Sequence, residues 1–266
     1  MPSADKRQRK KENARLAREE RIAAEKRRRR FKMARNIGII VGLFVIIIVI
    51  FQVVGGGSKK KATTDTTVAS TTPTTKPAVY PAGCKAGTPP RGSTQTYTAP
   101  PAMTIDTKKT YVAHVTTTCG AFDIKLDAAN APQTANSFAF LARNKFFDGL
   151  SFHRLVPDFV IQGGDPKGDG TGGPGYKLPD EPPKDGYKQG SVAMANSGSG
   201  TTGSQFFVVV SDTGAKNLGG PPYKYSSLGT VTSGFDVVQK MMKLAPASDG
   251  PPQLPLYIDT VKINES

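Results

Sequence analysis

The sequence has few residues that could bind a metal ion or carry redox chemistry. Its 266 residues include no tryptophan, two histidines (His114 and His153) and two cysteines (Cys84 and Cys119). Two histidines and two widely spaced cysteines do not form the ligand clusters of a zinc site, and they do not match a CxxC redox pair. The sequence therefore predicts no metal site.

The usual nucleotide and nucleophile motifs are also missing. Residues 168–173 match GxGxxG, but Pro174-Gly-Tyr-Lys-Leu-Pro179 follows and cannot open the helix that a dinucleotide site requires. There is no Walker lysine and no GxSxG nucleophile elbow. We therefore expect chemistry that needs no cofactor.

The positive charge is concentrated at the N-terminus. The net charge is +15, and residues 1–35 hold 5 Lys and 10 Arg against 5 acidic residues. This basic leader accounts for two thirds of the excess charge, so the body of the chain is close to neutral. A solvated helix that sets membrane topology is favoured over a segment that binds nucleic acid or anionic lipid, because the leader has a single aromatic residue, Phe31, and so lacks a basic patch with interleaved aromatic residues. No nucleic-acid partner is expected.

One long apolar run follows the leader. Residues 37–54 carry no charge, and Gln52 is their one polar side chain. A helix of this length spans about 27 Å, close to the hydrocarbon thickness of a bilayer. A cleaved signal peptide is the alternative, but its apolar region is shorter and ends in a small-x-small site. We therefore predict a single transmembrane helix over residues 36–54, with a cytoplasmic N-terminus and the rest of the chain outside.

The next part of the chain has the composition of a linker. Residues 62–78 contain eight threonines with Pro73 and Pro77 and no aromatic residue, so they cannot bury enough surface to offset chain entropy. The sequence predicts an extracytoplasmic linker over 55–104 and a folded domain over 105–266. The later part of the linker, with Tyr80, Cys84 and Tyr97, is expected to pack on that domain.

The folded part has the pattern of a mainly β protein. Two segments have helical periodicity, Ala131–Asn144 and Phe235–Lys243. Short apolar or alternating runs separated by Gly and Pro turns predict strands and favour a β-barrel over a βαβ fold. The predicted strands are Tyr111–Thr117, Ala121–Leu126, Phe159–Gln162, Ser191–Ala195, Gln205–Val210, a segment around Thr230, and Tyr257–Ile263.

Several ordered motifs in this region resemble one family. The segment Phe152-His-Arg-Leu-Val-Pro-Asp-Phe-Val-Ile-Gln-Gly-Gly-Asp165 is followed by a Gly-Thr-Gly-Gly loop, Ala193-Met-Ala-Asn196, Gly203-Ser-Gln-Phe-Phe207 and Tyr225-Ser-Ser-Leu-Gly229. Together they resemble the cyclophilin-type peptidyl-prolyl cis/trans isomerases over about residues 111–263. The resemblance implies an eight-stranded antiparallel β-barrel capped by two α-helices, with a substrate groove on its outer face.

The resemblance also implies the roles of particular residues. Arg154 is expected to be catalytic, and no cofactor is implied. The expected substrate-binding residues are His153, Phe159, Val160, Gln162, Ala195, Asn196, Gln205, Phe207, Leu218 and Tyr225. Three positions depart from the commonest family pattern, since Val160, Asn217 and Tyr225 stand where methionine, tryptophan and histidine are usual.

The resulting hypothesis is a membrane-anchored isomerase whose catalytic domain is monomeric. It would accelerate X-Pro isomerisation in exported or cell-envelope proteins, with proline-containing polypeptides as partners and the membrane contacted through residues 37–54. The alternative is a non-catalytic module that uses the same groove to bind or scaffold proline peptides. The intact Arg154 favours the enzyme, because a binding module could dispense with it.

The two cysteines leave two alternatives open. If the predicted topology is right, Cys84 and Cys119 lie in a compartment where disulfides persist. A bridge between them would pin the end of the linker to the domain, and the other possibility is a pair of free thiols.

Overall fold

The computed structural model describes residues 79–87 and 95–266. The basic leader and the predicted transmembrane helix lie outside the described residues. Within the described ranges, no helix combines the length and the hydropathy needed to cross a bilayer.

The domain is mainly β. Its strands are β1 (Tyr111–Thr117), β2 (Gly120–Leu126), β3 (Arg154–Val156), β4 (Val160–Gly163), β5 (Ser191–Met194), β6 (Phe206–Val209), β7 (Ser227–Ser233) and β8 (Ile258–Glu265). Its helices are α1 (Pro132–Arg143), α2 (Asp212–Asn217) and α3 (Phe235–Met242). Strand β3 and helix α2 were not predicted, because three and six residues are too few to show a periodicity.

The eight strands form one antiparallel sheet. Their order is β3-β4-β6-β5-β7-β2-β1-β8, and every neighbouring pair is antiparallel. The edge strands β3 and β8 share no regular ladder. Backbone hydrogen bonds join the segments beside them instead, from Phe152 N–H to Leu256 O (2.9 Å) and from Ile258 N–H to Leu150 O (2.8 Å). The fold is thus an eight-stranded antiparallel half-barrel, and isolated hydrogen bonds form an irregular seam between the segments that flank its edge strands.

Side-chain alternation divides the sheet into two faces. On β6, Phe206 and Val208 belong to the main core, whereas Phe207 and Val209 belong to a second cluster on the other face. The same split separates Ile161 from Val160 on β4. Because successive strand residues point to opposite sides, one apolar run can both fill the core and build an outer surface.

The helices cover the core and begin where their sequences indicate. Pro132 occupies the first turn of α1, where its missing N–H costs nothing, and Phe138 and Leu141 of this helix are fully buried. Helix α3 buries Val238 and Met241. The described part of the domain has three helices rather than the two predicted, and the short α2 lies against β6.

The end of the predicted linker packs on the domain. Tyr80, Cys84 and Tyr97 are partly buried against the main core. The Tyr80 hydroxyl donates to Pro255 O (3.0 Å), and Lys85 N–H donates to Thr118 O (2.9 Å). The folded unit therefore includes residues 79–87 and 95–104 as well as residues 105–266.

Cys84 and Cys119 form a disulfide with a sequence separation of 35 residues. Cys119 is fully buried in the turn between β1 and β2, whereas Cys84 is partly buried within residues 79–87. The bridge therefore fastens residues 79–87 of the linker to the β1–β2 hairpin.

Reduction of this disulfide is expected to free residues 79–87 while the half-barrel stays folded. In the chain-entropy model, a disulfide that closes a loop of this size raises the free energy of unfolding by about 3–4 kcal/mol. We expect a smaller loss, because the segment lies outside the eight-stranded sheet and can detach without unfolding it. Activity should survive because neither cysteine belongs to the outer cluster. Thiol titration of the denatured, non-reduced protein is the measurement, and finding two reactive thiols would contradict the bridge.

Candidate functional site

A row of side chains crosses four adjacent strands on the outer face of the sheet. Arg154 on β3 pairs with Gln162 on β4, Gln162 pairs with Phe207 on β6, and Phe207 pairs with Ala193 on β5. Cross-strand partners place their side chains next to each other on one face. Residues that are up to 53 positions apart in the sequence are thereby aligned into one surface.

The second hydrophobic cluster of the domain lies on this face of the sheet. Its surface is called the apolar pocket below, because the resemblance to cyclophilins implies that the proline ring binds here. The cluster comprises Val156, Phe159, Val160, Tyr187, Ala193, Ala195, Phe207, Val209, Ala215, Leu218 and Tyr225. Six of the predicted substrate-binding residues therefore come together here, namely Phe159, Val160, Ala195, Phe207, Leu218 and Tyr225.

Helix α2 holds one wall of the pocket in place. Ser211 caps the helix by accepting a hydrogen bond from Gly214 N–H, and its hydroxyl donates to Asp158 O. A Cβ at Gly214 would lie 2.8 Å from Phe159 Cα, so only glycine permits this close approach. The helix thus fixes the turn that carries Phe159, and Leu218 stands at its C-terminal end.

Tyrosines form the opposite wall. The Tyr225 ring packs edge-on against Phe207, with 5.3 Å between ring centroids. The Tyr187 hydroxyl donates to Tyr225 O (2.7 Å) and accepts from Tyr225 N–H (3.0 Å), while burial raises the pKa of Tyr187 to about 12. Tyr187 was not predicted as a site residue, because it lies 38 residues before Tyr225 and belongs to no recognisable motif.

A chain of polar groups borders the pocket on its other side. Arg154 Nη1 donates to Gln162 Oε1 (3.0 Å), and Gln162 Nε2 donates to Gln205 Oε1 (2.9 Å). Gln205 Nε2 in turn donates to Gly170 O and Gly172 O in the glycine-rich loop. Three predicted site residues are therefore linked into one network, which fixes the orientation of both amides.

Asp249 completes this network and was not predicted. Its carboxylate accepts from Arg154 Nε (2.7 Å) and Nη2 (2.6 Å), a bidentate pair that holds the guanidinium plane. The hydrogen bonds from Arg154 hold the pKa of Asp249 below its ordinary value, so this carboxylate is ionised at neutral pH. Asp249 lies 95 residues after Arg154, so no local pattern could indicate the contact.

The bound guanidinium still has hydrogen-bonding capacity. Each terminal nitrogen of Arg154 carries a second N–H that no residue in 79–87 or 95–266 accepts. The Arg154 side chain is 35% exposed, so these donors are accessible from solvent. The arrangement presents a fixed, permanently charged donor at the edge of an apolar pocket.

His153 lies apart from the apolar pocket. Its ring lines a recess of about 360 Å³ together with Arg154, Gln162 and Asp249, and a second recess of about 300 Å³ beside Pro251 and Tyr257. Burial lowers the pKa of His153, and the nearby charge of Asp165 opposes that shift, so the ring is neutral at pH 7. Neither ring nitrogen has a hydrogen-bond partner among the described residues.

Asn196 and Ala195 continue β5 toward the network. Ala195 N–H donates to Gln205 O (2.9 Å), which ties the end of β5 to the start of β6. The Asn196 amide donates to Lys224 O (2.8 Å) and accepts from Gly198 N–H (3.3 Å). The Asn196 side chain thus braces the loop before Tyr225 in this structure.

A larger cavity of about 650 Å³ adjoins the polar network. Gln162 and Gln205 form part of its lining, and residues 170–177 and Asn196 form other parts. Among the described residues, no group of three or more His, Cys, Asp or Glu side chains could hold a metal ion. The site is thus an open groove with an apolar pocket, a guanidinium and amide groups, which is suited to an extended peptide.

The comparisons with known proteins agree with this class of site. The family model of the cyclophilin type peptidyl-prolyl cis-trans isomerases matches residues 112–263, more than half of the chain. The chain therefore belongs to the cyclophilin family.

Relatives and solved structures carry the same family name. A probable peptidyl-prolyl cis-trans isomerase B of Mycobacterium leprae is 38% identical over 175 residues, which cover 58% of this chain and 57% of that protein. A peptidyl-prolyl cis-trans isomerase of Schizosaccharomyces pombe is 40% identical over 147 residues, covering 53% of this chain and 92% of that protein. The crystal structure of a Cryptosporidium parvum cyclophilin has a TM-score of 0.54 and 25% identity, covering 59% of this chain and 99% of that one.

Proposed function

We propose that this chain accelerates cis/trans isomerisation of X-Pro bonds in exported or cell-envelope proteins, with the half-barrel held outside the membrane by residues 37–54. The observation that carries the enzymatic part is the guanidinium of Arg154, fixed by Asp249 and Gln162 beside the apolar pocket. The family membership of residues 112–263 supports the same reaction. A cyclophilin crystal structure determined in the presence of the dipeptide Ala-Pro is among the similar structures, which fits the substrate class.

The reaction requires no bond cleavage. Amide resonance gives the C–N bond a rotational barrier of about 18–20 kcal/mol, so uncatalysed isomerisation takes tens to hundreds of seconds. When the amide twists, its nitrogen regains a lone pair. A guanidinium N–H of Arg154 can donate to that nitrogen in the twisted state, whereas the planar amide nitrogen offers no such acceptor. The interaction therefore stabilises the transition state in preference to the ground state.

The surrounding residues place the substrate for this step. Phe159, Phe207 and Leu218 surround the proline ring, and Tyr225 closes the pocket from the side. Gln162 and Gln205 hold the polypeptide backbone on either side of the ring, because their amides are already oriented by the network. Preorganised contacts of this kind lower the entropic cost of reaching the reactive geometry.

A non-catalytic proline-peptide module is the second candidate. It would need the apolar pocket but no oriented donor beside it. The double anchoring of Arg154 favours the enzyme, and an assay with a prolyl peptide separates the two. An enzyme accelerates isomerisation at concentrations far below that of the peptide, whereas a binding module acts only in proportion to the amount bound.

The membrane anchor and the exported clients rest on the sequence. The support is the uncharged run of residues 37–54, which follows a leader with net charge +10 (5 Lys and 10 Arg against 5 acids). The disulfide between Cys84 and Cys119 fits an oxidising compartment.

Protease added to intact cells is expected to cut the threonine-rich linker and release a folded fragment that keeps isomerase activity. An N-terminal tag should stay protected, because the leader would be on the cytoplasmic side. Immunoblotting of the tag before and after permeabilisation is the measurement. Recovery of the whole protein in the soluble fraction, or digestion of the tag in sealed cells, would refute the anchor.

A further inference from the structure

The segment 95–104, which precedes the residues matched by the family model, contacts a loop of the site. Tyr97 N–H donates to Pro174 O (2.8 Å), and the Tyr97 ring packs edge-on against Tyr176 with 6.4 Å between centroids. The same ring packs on Phe140 of α1 at 5.0 Å. Tyr97 therefore joins the glycine-rich loop to a helix of the main core.

The contact with the loop is close. A Cβ on Gly175 would lie 2.4 Å from Tyr97 O and 2.6 Å from Thr96 Cγ2. Gly175 also has a φ of +95°, a conformation that glycine adopts without strain. The backbone of the segment and the backbone of the loop can therefore touch only because residue 175 has no side chain.

The segment is itself fixed to the domain. The buried Asn136 side chain donates to Ala102 O (2.9 Å) and accepts from Thr104 N–H (2.9 Å). At the other end, the Gln95 amide donates to Asn144 O (3.0 Å). Tyr97 is thus held from both sides and acts as a brace behind the loop.

The braced loop forms one wall of the 650 Å³ cavity. Pro174, Gly175 and Tyr176 line it on this side, and Gln162 and Gln205 line it where it meets the polar network. A polypeptide whose proline fills the apolar pocket would therefore extend into this cavity with residues that flank the proline. The shape of the cavity depends on how firmly residues 174–176 are held.

We propose that Tyr97 is a positioning residue that sets the preference of this protein for residues flanking the proline. It acts through Pro174–Tyr176 and does not touch the apolar pocket. The proposal rests on the proposed isomerase function. Because Tyr97 precedes residues 112–263, it adds to the site a part that the family model does not cover.

The test compares Tyr97→Ala with the parent full-length chain on two kinds of substrate. One is an Ala-Pro dipeptide amide, which can fill only the apolar pocket, and the other is a set of longer peptides that vary the flanking residues. We expect KM for the preferred longer peptides to rise roughly 3- to 10-fold, the change that corresponds to losing one aromatic pair. kcat, and the kinetics with the dipeptide amide, should stay unchanged.

Two variants control for a general loss of structure. Tyr80→Ala removes another packed tyrosine of the linker. The Tyr80 hydroxyl bonds to Pro255 O, which does not line the 650 Å³ cavity, so this variant should leave the ranking of peptides unchanged. Tyr97→Phe keeps the ring contacts and should retain the parent ranking. An unchanged ranking in Tyr97→Ala, or equal changes for the dipeptide amide and the longer peptides, would overturn the proposal. Calorimetry measures the affinities of the same peptides and gives their ranking even if the parent shows no turnover. An absence of turnover would count against the isomerase function but not against the role of Tyr97.

Discussion

Replacing Arg154 by alanine is expected to lower kcat/KM for prolyl isomerisation by roughly 10- to 150-fold. The lost interaction is one charge-assisted hydrogen bond, for which about 1.5–3 kcal/mol is typical, and each 1.36 kcal/mol corresponds to a factor of about ten. The fold should survive, because the Arg154 side chain is 35% exposed and lies outside the main hydrophobic core. The measurement is isomerase kinetics together with thermal melting.

Two further variants make the Arg154 experiment specific. Arg154→Lys retains the charge but cannot form the bidentate bond to Asp249 while also bonding Gln162, so it should recover little of the activity. Arg143→Ala removes another partly exposed arginine, paired with Glu265 at 3.3 Å, and should leave turnover unchanged. If Arg154→Ala melted like the parent and turned over at the parental rate, the proposed mechanism would be wrong.

Replacing Phe206 by alanine is expected to reduce the free energy of unfolding by about 3–5 kcal/mol. Phe206 is fully buried and packs edge-on against Phe138, Phe147 and Phe152. In a domain of this size the melting temperature should fall by about 6–20 °C. Scanning calorimetry measures this change, and a fall of less than about 3 °C would show that the ring is not central to the core.

The neighbouring residue provides the matched control. Phe207 lies on the same strand but faces the outer pocket, where its edge-on partner is Tyr225. Phe207→Ala should destabilise the domain less than Phe206→Ala, because water can enter an open groove, and it should reduce turnover more. Equal effects of the two substitutions on stability and on turnover would contradict the division of the sheet into a core face and a site face.

The sequence by itself determined the mainly β class and most of the strands. β1 was predicted over Tyr111–Thr117, as observed, and the runs that became β2, β4, β5, β6 and β8 were placed within two residues at each end. Period-two patterning is a local property, so it can be read without knowing the partners of a strand. Six side chains of the apolar pocket were named for a different reason, because the resemblance carried by the ordered motifs implied them.

Pairing and contact between distant segments were decided only by the tertiary structure. Asp249 reaches Arg154 across 95 residues, and Tyr187 braces Tyr225 across 38. Each of these residues has an ordinary composition around it, so nothing local distinguishes it from a solvated side chain. The same holds for two features of the fold. The irregular seam near Phe152 and Leu256 depends on the curvature of the sheet, and the packing of α2 against Phe159 depends on a close approach of two backbones.

The linker shows most clearly which features the sequence predicted and which depended on the tertiary structure. Composition alone predicted a linker over 55–104, because threonine and proline cannot build a core. The later part of this linker, with Tyr80, Cys84 and Tyr97, was expected to pack on the domain, and these three residues do so, whereas Val79 and Met103 stay exposed. Only the tertiary structure placed Tyr97 behind Pro174 and Gly175, because that contact depends on the space left by a glycine 78 residues further along the chain.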